Sequence, residues 1–144
     1  MATVSYKQEN PYYCGPASLR ALEIMLGFEL PHTQDEWAVF AGTIGQGKAG
    51  VKSGTSIAGL KRCIKMMGRK FEIVKKTLTP WQGPAIVYDA SRDHWMTVDV
   101  MGHNSGVWIV DPDPETPDVL WSAWPEFQEK YLNHSRNSYA LVVK

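Results

Sequence analysis

Gln8-Glu9-Asn10-Pro11-Tyr12-Tyr13-Cys14-Gly15-Pro16-Ala17-Ser18 puts a cysteine at the point where a loop turns into a helix. Pro16 suits a first helical turn, where a missing N–H removes no hydrogen bond. Ala17 to Gly27 then reads as helix, with Leu19, Leu22, Met25 and Leu26 at helical spacing. A sulfur at such a helix start lies beside unpaired backbone N–H groups and the positive end of the helix dipole. Both favour the thiolate, the reactive form of cysteine. Cys14 is therefore a candidate nucleophile, with a packed apolar cysteine as the competing reading.

Downstream, Gly27 and Pro31 close the first helix, and Thr33-Gln34-Asp35-Glu36 has the form of a capping box opening a short second one. The stretch from Gly42 to Gly54 is a glycine-rich loop. It contains a G-x-G-x-x-G pattern from Gly45 to Gly50 and a near P-loop from Gly42 to Ala49. Neither follows a strand, and Ala49 stands where a phosphate loop needs a hydroxyl, so both read as surface loop bordering a cleft. Thr55 or Ser56 caps a third helix ending at Gly68. Cys63 falls on its apolar stripe with Ile57, Leu60, Ile64 and Met67 and reads as packed.

After Gly68 the period changes. Lys70–Thr77, Pro84–Tyr88, His94–Met101, Gly106–Asp111 and Ser138–Val143 read as strands, and about Trp124–Leu132 as one more helix. Helices first and a mostly antiparallel sheet second is an α+β layout. The 144 residues suit one compact domain spanning 1–144, and an apolar fraction of 44% supports a real core. Fifteen basic and fifteen acidic residues give zero formal charge and no single-sign block that would engage nucleic acid or an anionic membrane. No apolar run approaches the ~18–20 residues that cross a bilayer. The N-terminus has no signal core, and with only two cysteines the chain fits a cytoplasmic protein.

A cysteine nucleophile needs a base. Of the four histidines, His32 lies between helices, His103 in a hairpin turn and His134 in a polar turn. His94 opens a strand, a rigid position next to loops. If the hairpin after that strand has an even loop, His94, Met96, Val98 and Val100 share a face with Val107, Ile109 and Asp111. That register merges the apolar residues into one surface and brings His94 and Asp111 together at its end, leaving Asp99 on the other face. Cys14, His94 and Asp111 can then act as nucleophile, base and orienting carboxylate. Gln8, in the loop before Cys14, can donate its amide to an oxyanion alongside the Cys14 N–H.

Gln8-x₅-Cys14-Gly15-Pro16-Ala17-Ser18, His94 opening a strand, and Asp111-Pro112 together resemble the C39 peptidases, papain-like cysteine peptidases found as N-terminal domains of bacteriocin-exporting ABC transporters. The resemblance covers nearly the whole chain, including Gly54-Thr55-Ser56 before the third helix. It implies a papain-like fold with a helical lobe from Cys14 to Gly68 on an antiparallel sheet. It also implies Cys14 as nucleophile, His94 as base then acid, Asp111 as its partner, Gln8 in the oxyanion hole, and a peptide or protein substrate with no metal or organic cofactor. The family cleaves after Gly-Gly in leader peptides. Tyr13 departs from the pattern, since an Asp is common before the cysteine, and Trp95 follows the base. Peptide hydrolysis is the expected reaction. Acyl transfer or isopeptide cleavage at the same residues, and peptide binding without turnover, are the alternatives.

Overall fold

The computed structural model describes residues 6–45, 53–75, 80–101 and 106–144. Three helices come first: α1 (Cys14–Met25), α2 (Gln34–Ala41) and α3 (Ile57–Met66). Helix α1 begins at the cysteine itself, ahead of its apolar stripe, with Pro16 in the first turn. Thr33 and Glu36 form the expected capping box of α2, each side chain accepting the other residue's backbone N–H. Of the two candidate caps for α3 it is Ser56 that serves, its side chain accepting from Gly59 N. Gly27, Gly42 and Gly68 follow the three helices with positive φ, the conformation that stops a helix most cheaply at glycine.

The rest of the chain builds a six-stranded antiparallel sheet in the order β1-β6-β2-β3-β4-β5. Its strands are β1 (Phe71–Val74), β2 (Gln82–Asp89), β3 (His94–Met101), β4 (Val107–Val110), β5 (Leu120–Ser122) and β6 (Tyr139–Val143). The three-residue β5 was not legible in the sequence. It joins the sheet by setting Trp121 opposite Trp108, with ring centroids 4.7 Å apart. The expected last helix is split. Residues Trp124–Phe127 form α4, and Gln128–Leu132 widen into a π-helical turn whose end is closed by Asn133 N donating to Gln128 O.

Both faces of the sheet are covered, which is why its central strands are buried almost throughout. On one face Ile86, Trp95 and Leu141 meet Leu19, Leu22, Trp37, Leu60 and Ile64 of the helical lobe. On the other, Val87, Met96, Val98 and Ile109 pack against Trp124, Phe127 and Leu132. Thr97 Oγ1 donates to Ser18 O at 2.7 Å, tying the middle of α1 to β3 through an interior where an unpaired hydroxyl would be costly. This is the papain-like α+β arrangement, with the helical lobe of residues 14–68 on an antiparallel sheet. The hairpin register is the one that the apolar pattern requires: Val98 lies opposite Ile109 and Val100 opposite Val107. The phosphate-loop-like residues 46–52 and the hairpin turn 102–105, with His103, lie outside the described residues, as do 1–5 and 76–79.

Candidate active site

The site forms where the N-terminus of α1 meets the ends of β3 and β4. Cys14 is the first residue of α1 and is half-buried, so its backbone N–H belongs to the turn that has no acceptor within the helix. Gly15 is required by close packing. A Cβ there would stand 2.3 Å from Thr55 Oγ1, and that hydroxyl is in turn hydrogen-bonded to Thr43 at 2.7 Å. The segment before α3 is thereby drawn against the helix start. Cys63, by contrast, is fully buried in the helical lobe, where burial pushes its thiol up to about 11. Both cysteines are free.

His94 Nε2 and Asp111 Oδ1 are 2.6 Å apart, with both side chains largely buried. The Cys14 thiol is within hydrogen-bonding reach of the same ring. Burial by itself would lower the His94 pKa, but the bonds and charges of Asp111 and Cys14 outweigh it and raise the pKa from 6.5 to about 9. Asp111 moves the other way. Burial raises it, yet hydrogen bonds from His94 and Asp113 N and the charges of His94 and Arg92 hold it down at about 2. At neutral pH the pair is an imidazolium facing a carboxylate.

Two neighbours of this pair were not singled out in the sequence. Arg92, in the turn between β2 and β3, reaches Asp111 Oδ2 at 2.9 Å and Asp89 Oδ2 at 2.8 Å. Lys7 inserts its ammonium among the carbonyls of Asp111, Asp113, Thr116 and Pro117. Each sits one or two residues from an expected site residue, Arg92 before His94 and Lys7 before Gln8. A basic residue one or two positions from an expected site residue was the available signal.

Gln8 lies in the loop leading to Cys14. Its N–H donates to Pro112 O at 2.9 Å, placing it next to Asp111, and its Nε2 donates to Asn10 O at 3.0 Å. An amide nitrogen carries two hydrogens, so the bond to Asn10 fixes the plane of the amide and leaves one N–H to give. Asn10 also shapes the turn into Cys14, its side chain accepting from Tyr12 N and its carbonyl from Tyr13 N. Gln34 completes the bracing, accepting from Glu9 N and donating to Lys7 O.

A cleft of about 420 Å³ opens beside the thiol, bordered by Cys14, Ile44, Thr55, Tyr88, Trp95 and Tyr139. Trp95 is held as part of its floor by donating Nε1–H to Thr55 O at 2.9 Å. Gly42, Ser53 and Gly54 also line the opening, and Ile44 and Gly54 exchange paired backbone bonds. His32 is not part of this site. Its Nδ1 and backbone N bind Glu23, a buried carboxylate that also takes the Trp37 indole N–H. Among the described residues, no three His, Cys, Asp or Glu side chains gather as a metal site. None of the described helices is long and apolar enough to cross a membrane.

The fold is the papain-like α+β one. Among solved structures the chain is similar to the peptidase domain of Streptococcus ComA, a bi-functional ABC transporter involved in a quorum sensing pathway, with a TM-score of 0.67 and 19% identity over 95% of this chain and 94% of that one. It is also similar to the peptidase domain of Streptococcus mutans ComA, at 0.56 and 21% identity over 97% and 98% of the two chains. The complex of that domain with a small-molecule inhibitor gives 0.57 and 20% identity, with 99% of each chain covered. At this identity the likeness establishes a shared fold. No family model matches the chain, and no curated protein matches it in sequence.

Proposed function

We propose that the protein is a C39-like cysteine peptidase that cleaves a peptide bond with Cys14, His94, Asp111 and Gln8. What supports this reading is one imidazole with two partners, Asp111 at 2.6 Å from Nε2 and the Cys14 thiol within hydrogen-bonding reach of the same ring. A packed cysteine and a structural ion pair have no reason to share a ring at the mouth of a cleft. The ComA likeness supports the same reaction class.

The charge arrangement suits the chemistry. An imidazolium held by Asp111 favours the Cys14 thiolate, which attacks the scissile carbonyl and forms a C–S bond. The resulting oxyanion takes N–H bonds from the Cys14 backbone and the second hydrogen of Gln8 Nε2. Collapse breaks the C–N bond while His94 protonates the leaving amine, giving a thioester. Neutral His94 then takes a proton from water, whose oxygen attacks the thioester and releases the carboxylic acid, restoring thiolate and imidazolium. Small residues such as Gly-Gly before the scissile bond are the specificity we propose with this reaction.

The test is digestion of a peptide library with the wild type and with Cys14→Ala. Cleavage that disappears in the variant, with cut sites enriched in small residues, is the expected outcome. A wild type that leaves the library intact, and whose Cys14 reacts with iodoacetamide no faster than an ordinary thiol of pKa ~8.5, refutes the proposal.

A further inference from the structure

We propose that Arg92 is the positioning residue for the Asp111 carboxylate, its guanidinium bridging Asp89 and Asp111 and so holding the carboxylate plane in the orientation that serves His94. The inference rests on the reading of Cys14, His94 and Asp111 as catalytic. A carboxylate held by one oxygen can swing about its Cβ–Cγ bond, and the imidazole it aims swings with it. Here both oxygens are taken. Asp111 Oδ1 accepts from His94 Nε2 at 2.6 Å and from Asp113 N at 2.9 Å, while Oδ2 accepts from Arg92 Nη2 at 2.9 Å. Rotation in either direction breaks a charge-assisted bond.

Arg92 is itself fixed. Its Nε donates to Asp89 Oδ2 at 2.8 Å, its Nη2 also lies 3.8 Å from Met96 Sδ, and its guanidinium stands 6.0 Å from the centre of the Tyr131 ring. Asp89 is buried, and its other oxygen takes the N–H and O–H of Ser91. The chain of support therefore runs from the turn between β2 and β3, through Arg92, to the loop after β4. Only a planar cation with donors on two edges spans two buried carboxylates in this way, since a lysine offers one point charge. The groups that face the His94 ring are Cys14 from α1 and Asp111 from beyond β4. Arg92, Asp89 and Asp113 stand behind Asp111, and the Lys7 ammonium lies on the Asp111 carbonyl.

The experiment compares wild type, Arg92→Gln and Arg92→Lys by NMR titration of the His94 ring and by the pH profile of kcat/KM on a cleaved library peptide. Losing the bridge lets Asp111 turn from His94, so the ring's midpoint falls by about one unit. The misplaced base lowers kcat/KM by about tenfold to a hundredfold. Arg92→Lys keeps the charge without the bridge and shows the same fall in midpoint, so it also serves if Arg92→Gln does not fold. Once Asp111→Asn is present, adding Arg92→Gln changes kcat/KM by less than about twofold, because the two act as one unit.

An unchanged midpoint overturns the proposal. So does a raised one, which would mark Arg92 as a nearby charge and nothing more, and so does full recovery in Arg92→Lys or losses that multiply in the double variant. A wild type with neither cleavage nor an activated Cys14 removes the catalytic reading. A reactive Cys14 with a His94 midpoint indifferent to Arg92 removes this inference alone.

Discussion

Replacing Asp111 with asparagine is expected to flatten two limbs of the stability–pH curve with one substitution. In the folded protein Asp111 titrates at about 2 against an ordinary 3.8, so its contribution is present above pH 4 and is lost as pH falls toward 2. His94 titrates at about 9 against 6.5, so its contribution is fully present below pH 6.5 and is lost as pH rises through 9. At 1.36 kcal/mol per unit these limbs amount to about 2 and about 3 kcal/mol. They are not summed, because each measures the same imidazolium–carboxylate interaction from one end. Side-chain exposures of 12% and 7% leave little solvent to screen it. The Asp111→Asn change keeps the shape of the side chain and removes its charge. At pH 5 to 6 the variant should be less stable by about 2–3 kcal/mol, with most of the fall between pH 6.5 and 9 gone. A residual acid limb belongs to Asp89, which burial raises but Ser91 and Arg92 lower further. A residual alkaline limb measures Cys14 acting on the same ring. Urea unfolding followed by tryptophan fluorescence from pH 2 to 9.5 reads all of this. A variant that keeps the full wild-type fall above pH 6.5 would show that the alkaline limb arises elsewhere, and the His94–Asp111 assignment would fail.

Gln8→Ala should lower kcat by about 10²–10³ with little change in melting temperature, and an unchanged kcat removes Gln8 from the oxyanion hole. Lys7→Met leaves the carbonyls of Asp111, Asp113, Thr116 and Pro117 without their shared donor, so stability should fall by about 1–3 kcal/mol in urea titration. A neutral result there would mean that the loop holds its shape unaided. Gly59→Ala would set a methyl 2.1 Å from the Ala41 carbonyl oxygen, and prising α2 from α3 should cost about 1–3 kcal/mol. A variant of wild-type stability would contradict the close approach of these helices.

The parts of the fold that the sequence disclosed are those where one local rule acts alone. Thr33 and Glu36 cap a helix by their own spacing, and the Val98–Ile109 pairing follows from the two-residue period and the need to bury one face. The parts it concealed depend on partners distant in the chain. Residues 120–122 carry no strand alternation of their own and pair because Trp108 offers a surface for Trp121. The π-helical turn after α4 seats Leu132 in the core, a demand of packing that helical periodicity cannot express. At the site the same division holds. Cys14 at a helix start and His94 at a strand start announce themselves locally, whereas Arg92 and Lys7 look like ordinary surface cations until Asp89, Asp111 and the carbonyls of the 111–117 loop close around them.

That division also explains how Cys14 and His94 stay aligned although eighty residues separate them. Neither rests on a long rigid element at the point of contact, since α1 and β3 both begin there. Alignment comes from crosslinks on three sides. Thr97 to Ser18 fixes the height of α1 against β3, and Gly15 against Thr55 fixes its tilt. The third is the 7–8 segment, tied to Pro112 and the carbonyls around it on one side and to Gln34 of α2 on the other. Loosening any one should move sulfur relative to imidazole by a fraction of an ångström, enough to cost rate before it costs stability. Thr97→Val isolates the first of these links. It removes one interior hydrogen bond, worth about 1 kcal/mol, without changing side-chain volume much. Its loss in kcat/KM should therefore exceed the factor that this stability change alone would give. If kcat/KM is unaltered while the melting temperature drops, the link supports the fold without aligning the site.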